Sequence, residues 1–183
     1  MKITLCGRIG SGKSVIAKAL AKDLNLKHYS TGDLMREIAK EKGYTIEDFM
    51  KIRSDDIDHQ VDSRTKKIGE EEDNFIFDSK LAFNFIEDAI KIFLDVTYEE
   101  AAKRIFENQR NSEAPASSPE ELAIRNKERW EVDRKKYQKL YSVDIDDKKN
   151  YDVYIKTTGK PLDEVIQEVK RAILSFSEKQ EDN

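Results

Sequence analysis

The chain has 183 residues, the size of one domain and long enough to bury a core of its own. Lys and Arg number 33 against 37 Asp and Glu, and the net charge of −4 argues against a chain built to grip a nucleic-acid backbone. The only cysteine, Cys6, excludes an internal disulfide and a cysteine-based zinc site; two histidines are too few for a histidine-rich metal centre, and no run approaches the roughly 18 apolar residues of a membrane span.

Residues 2–6 read as a first strand that runs straight into a glycine-bearing motif, so no leader is expected and a cytoplasmic location follows. Further strands are expected at 27–30, 74–78, 90–96 and 153–157, each short and rich in Ile, Val, Phe and Tyr. Helical periodicity fills the intervals at 13–24, 33–42, 46–53, 57–71, 98–108, 119–141 and 162–175. Start signals stand at Thr45-x-x-Asp48, Thr97-x-x-Glu100 and Ser118-Pro119-x-Glu121. Strands separated by helices imply parallel crossovers, hence an α/β fold with a parallel sheet covered on both faces. The polar loop 111–119 holds two of the three prolines and suits either a plain connector or a flap over a ligand; 177–183 reads as a frayed tail.

Gly7-Arg8-Ile9-Gly10-Ser11-Gly12-Lys13-Ser14 matches G-x-x-x-x-G-K-[ST] at every defined position, between a strand and a helix. Glycines let successive backbone N–H groups converge on phosphate oxygens, and the following helix points its positive end at them. A nucleoside triphosphate is therefore the expected ligand, contacted by Gly7, Arg8, Gly10, Ser11, Gly12, Lys13, Ser14 and Val15. Lys13 is placed to reach the β- and γ-phosphates, and Ser14 to offer a hydroxyl to Mg²⁺.

A phosphate loop does not by itself say where the phosphoryl group goes. The N-K-x-D signature of guanine-specific proteins is absent, since Asn126-Lys127-Glu128 lacks the Asp. After the second strand, Ser30, Thr31 and Gly32 make a close, hydroxyl-rich turn, and Arg36 follows one helical turn on, able to clamp a phosphate or to stand as an exposed charge. Asp78 closes the third apolar strand, a position from which a carboxylate orients Mg²⁺, with Lys80 beside it. Arg125, Arg129, Asp133 and Lys136 share one face of the long helix, a pattern shared by catalytic stripes and solvated ion-pair ladders. Arg104 and Arg110 stand at the other root of the proline-bearing loop.

Together these residues resemble nucleoside monophosphate kinases of the P-loop superfamily, most closely the archaeal-type cytidylate kinases, over most of the chain. Ser30-Thr31-Gly32-Asp33-x-x-Arg36 is similar to the acceptor-nucleotide segment shared with adenylate kinases. Asp78-Ser79-Lys80-Leu81-Ala82 aligns with the family's E/D-G-R-L-A. Arg129-x-x-x-Asp133-x-x-Lys136-Tyr137-x-x-x-Tyr141 with Asp144-Ile145-Asp146 resembles its closing segment, and Tyr151-Asp152-Val153-x-Ile155-x-Thr157 its last strand. Lys80 and Lys136 stand where the family has arginine, Ser79 where it has glycine and Lys156 where it has Asp or Asn; lysine keeps the charge and loses the two-pronged grip on phosphate.

The resemblance implies a single kinase domain with a five-stranded parallel sheet, a helical acceptor inset at about 31–72 and a short lid at about 109–119. It further implies ATP and Mg²⁺ as cofactors, with Ser14 and Asp78 at the metal. Lys13, Arg110, Arg125 and Arg129 would carry catalysis. Ser30, Thr31, Gly32, Arg36, Lys80, Asp133 and Lys136 would hold CMP or dCMP, Asp133 either orienting the arginines or meeting the pyrimidine's exocyclic amine. The partners expected are small nucleotides, with no membrane, no stable nucleic-acid partner and a monomeric chain. Another small acceptor, or a nucleotide-binding factor with little turnover, stays open.

Overall fold

The computed structural model describes residues 1–52, 54–107 and 116–181. Five strands, β1 (Lys2–Gly7), β2 (Lys27–Ser30), β3 (Phe75–Asp78), β4 (Ile90–Asp95) and β5 (Val153–Lys156), form one all-parallel sheet in the order β2-β3-β1-β4-β5. Among the described residues seven α-helices connect and cover them: α1 (Lys13–Asp23), α2 (Thr31–Glu41), α3 (Ile46–Lys51), α4 (Asp55–Glu71), α5 (Tyr98–Glu107), α6 (Pro119–Tyr141) and α7 (Leu162–Glu181). Each predicted strand and helix is present. No helix among the described residues is long and apolar enough to cross a membrane.

Boundaries moved where a cap decides them. The helix expected from residue 33 begins at Thr31, because the Ser30 hydroxyl accepts from the Asp33 N–H at 3.0 Å. The helix expected from residue 57 starts at Asp55, with Ser54 at the N-cap. The three predicted start signals hold: Thr45 accepts from Asp48 N–H, Thr97 from Glu100 N–H and Ser118 from Glu121 N–H. The tail expected to fray continues α7 as helix to Glu181.

Alternation along β1 sends Ile3 and Leu5 to one face, where α1 and α7 cover them with Ile16, Leu20, Val165, Val169 and Ile173. The other face carries two clusters. Phe75 and Phe77 of β3 pack under α2–α4 with Ile38 and Phe49, while Cys6 and Phe93 pack under Trp130 of α6. Because the strands run parallel, Gly7, Ser30, Asp78 and Asp95 all emerge at one edge, with Ser30 in register with Asp78. That edge is where open α/β sheets bind ligands.

Candidate active site

β1 delivers the chain into the phosphate loop. Gly10 adopts φ 81°, and a Cβ there would stand 2.7 Å from Ala101 Cβ, so the loop lies flush on α5 only with glycine. Gly12, at φ 86°, is the N-cap of α1 and has no side chain to satisfy the first turn. The loop from Gly7 to Ser14 lines a hollow of about 160 Å³ that Lys80 and Arg129 also line. The buried Ser11 hydroxyl has no hydrogen-bond partner among the described residues, which suits a loop that receives its missing acceptors from a ligand.

Lys13 forms an ion pair with Asp78, whose side chain is 4% exposed. The Asp78 carboxylate and the exposed Ser14 hydroxyl open on one cleft. This hard-oxygen set suits Mg²⁺, which takes one or two carboxylates and completes its shell with phosphate and water. Among the described residues there is no cluster of three or more His, Cys, Asp or Glu able to cage a metal alone.

From the loop the cleft extends to about 780 Å³ between the α2–α4 segment and α6. It gathers Lys13, Ser14, Ser30, Thr31, Gly32, Arg36, Asp78, Lys80, Arg129, Asp133 and Lys136, most of the residues predicted from sequence. Arg36 is 61% exposed and bonds to Asp33 at 2.7 Å, a single surface contact. Thr31 donates to Ser79 Oγ at 2.9 Å, and Ser79 in turn accepts from the Leu81 and Ala82 N–H groups, which sets the turn that aims Lys80. Lys80 pairs with Asp133, and its ammonium lies 5.6 Å from the Trp130 ring centroid. Burial pushes the Lys80 ammonium pKa down from its ordinary value, while Asp133 opposes the shift.

Two expected residues stand elsewhere, and a third is not among those described. Arg125 projects from α6 onto Glu121 at 2.6 Å and does not line the cleft. Val15 is 40% exposed and borders a second hollow of about 510 Å³, bounded by Gly10, Gly12, Arg104, Lys160 and Leu162. Arg110, with most of the expected lid, lies outside the described residues. Arg8 does border the loop's hollow, but its guanidinium is engaged elsewhere: it donates to Asp95 at 2.7 Å and to the Tyr98 hydroxyl at 2.6 Å, and it lies 3.3 Å from Asp146.

The sequence reading missed the roles of three residues. Asp58 and Asp62 line the cleft from α4, Asp58 pairing with Lys136 and Asp62 accepting from the Tyr141 hydroxyl. Asp146 joins the loop to α6 through Arg8 and through Trp130 Nε1 at 3.2 Å. The available signal was the four-residue spacing of Asp58 and Asp62, which stacks them on one helix face.

A family model described as the cytidylate kinase-like family matches residues 2–159. The chain belongs to that family. A cytidylate kinase of Thermococcus kodakarensis is 36% identical over 93% of this chain and 86% of its own. A protein of Lacinutrix mariniflava named S-adenosylmethionine-dependent nucleotide dehydratase is 34% identical over 90% of this chain, which spans only 34% of that protein's length. In fold the chain also resembles a shikimate kinase from Aquifex aeolicus, with a TM-score of 0.61 and 21% identity over 97% of this chain and 98% of that one. As a member of the cytidylate kinase-like family, the chain is an ATP-dependent phosphotransferase of the nucleoside monophosphate kinase kind.

Proposed function

We propose that the chain transfers the γ-phosphoryl group of ATP to CMP or dCMP, giving ADP and the nucleoside diphosphate. The observation that carries this reading is the cleft itself. It starts at the phosphate loop, passes Arg36, Lys80 and Arg129, and ends among Tyr137, Tyr141 and carboxylates. A metabolite as small as a sugar acid would leave that far end empty, whereas a nucleotide spans both ends.

In this reading ATP lies on the loop amides with its γ-phosphoryl at Lys13. Asp78 and Ser14 would hold Mg²⁺, which would supply positive charge to the phosphate oxygens. Lys13 exchanges Asp78 for phosphate, and Lys80 exchanges Asp133. Arg36 and Lys80 hold the acceptor phosphate, with Ser30, Thr31 and Gly32 forming the turn beneath it. One of the acceptor's oxygens forms the new bond to the γ-phosphorus as the bond to the bridging β-oxygen breaks. That acceptor oxygen is already ionised at neutral pH, so no general base is needed. Lys13 and Arg129 stabilise charge on the transferring group, so catalysis rests on positioning and electrostatics. The reading takes the chain as a monomer, with the segment 31–72 as acceptor inset and 109–119 as lid.

A coupled assay with ATP and CMP, dCMP, UMP, AMP and GMP tests the proposal. Highest kcat/KM with CMP or dCMP is expected; preference for a purine monophosphate, or turnover with none, overturns it.

A further inference from the structure

The cleft is polarised along α6. Lys13, Lys80 and Arg129 stand at its loop end; Tyr141 lies twelve residues beyond Arg129, about 18 Å along the helix axis. Asp133, held by Lys80, belongs to the phosphate end of that axis. At the other end α4 presents Asp58 and Asp62 beside apolar walls from Met50, Val61 and Phe85.

The two carboxylates differ in what they have left to offer. Asp58 is 8% exposed and neutralised by Lys136. Among the described residues Asp62 takes one hydrogen bond, donated to Oδ2 by the uncharged Tyr141 hydroxyl, and has no ion pair at contact distance, with Asp58, His59 and Lys136 as its charged neighbours; its Oδ1 takes no hydrogen bond among the described residues. Burial, with the charge of Asp58 added, holds the Asp62 carboxyl above the ordinary carboxylate range.

We propose that Asp62 reads the base of the acceptor nucleotide, its carboxyl group meeting the amino edge of cytosine while Tyr141 fixes the plane of that carboxyl. The inference rests on the functional reading above and deepens it. Cytosine presents an amino donor beside a ring-nitrogen acceptor. A carboxylate oxygen accepts from the amino group. Uracil presents the reverse: a carbonyl oxygen that faces the carboxylate without a proton between them, and a ring N–H beside it. Apolar walls sharpen this difference, because an unmatched polar group there has no water to turn to. Lys136 then serves to neutralise Asp58, so that one carboxyl group, not two, faces the base.

The test compares CMP and UMP as acceptors for wild type, Asp62→Asn, Asp62→Ala and Tyr141→Phe. An amide at 62 donates N–H to the uracil carbonyl and accepts from its ring N–H. In Asp62→Asn the ratio of kcat/KM for CMP to that for UMP should therefore fall at least about tenfold. The change should sit in the acceptor KM, with the KM for ATP unmoved. Tyr141→Phe keeps the ring and loses the hydroxyl, so a smaller shift in the same direction is expected; it carries the test if the Asp62 variants fail to fold. A wild type that prefers CMP while all folded variants keep its ratio within about twofold overturns this assignment alone. A wild type inert with both pyrimidines overturns the functional reading and this assignment with it.

Discussion

Lys13 and Asp78 neutralise one another across the loop and the end of β3, so a change at either does two things at once. Lys13→Ala removes a donor to the transferring phosphoryl, worth about 10²–10³ in turnover, and strands a carboxylate that is 4% exposed. We therefore expect Lys13→Ala to lose activity and to melt lower, and the double variant Lys13→Ala/Asp78→Asn to recover the melting temperature without the turnover. Calorimetry alongside the coupled assay separates the two effects; near-wild-type activity in the single variant would falsify the catalytic role. Arg8 illustrates the opposite case. It sits inside a phosphate-binding motif, yet its side chain is held by Asp95, Asp146 and Tyr98, so its work is to pin the loop to the end of β4 and to the segment after α6.

Among the elements, α6 and α4 form two walls of the cleft. Ser118 and Pro119 start α6 in register, and the 3.6-residue period then carries Arg129, Asp133 and Lys136 to the cleft while Trp130 is buried against Phe93. The fit of α4 depends on Gly69, because a Cβ there would stand 2.8 Å from Ile86 Cγ1, a β-branched side chain buried in the core. Gly69→Ala would gain about 1 kcal/mol of helix propensity and meet an overpacking penalty of about 1–3 kcal/mol. Net destabilisation of about 1 kcal/mol is expected, read as a lower urea midpoint with an unchanged slope. Stabilisation would show that α4 shifts freely against Ile86.

Across the whole molecule, the turn after α6 ties the cleft wall to the sheet. Arg134 donates to both oxygens of Asp144 at 2.7 and 2.6 Å, Ile145 is buried, and the Tyr151 hydroxyl donates to the Ile145 carbonyl at 2.8 Å. The Arg134 hydrogen bonds hold the Asp144 carboxyl below the ordinary carboxylate range. Its folded pKa is depressed, so the stability it contributes is complete above the unfolded value, about pH 4, and is lost as pH falls through the folded value. Asp144→Asn should thus be less stable at neutral pH and decline less steeply below about pH 4. Urea midpoints measured across that range check this; parallel declines for the two proteins would remove the pairing from the account of acid stability.

Local signals reach a few residues along the chain, and what they reach was legible. Strand runs, helix periods, the hydroxyl caps at Thr45, Thr97 and Ser118 and the glycines of the phosphate loop each act within one turn or one strand. Motif residues that already stand at strand ends, such as Asp78 and Lys80, followed from the same short-range reading. What only the tertiary structure decided is which charges meet. Lys136 finds Asp58 across 78 positions, Tyr141 finds Asp62 across 79 and Arg8 finds Asp95 across 87, while Arg125, on the helix that bears Arg129, turns to Glu121 instead. The reason is physical: hydrophobic burial, which is non-directional, sets how α4 and α6 dock on the sheet, and only that docking brings a lysine or hydroxyl within the roughly 3 Å over which a hydrogen bond acts.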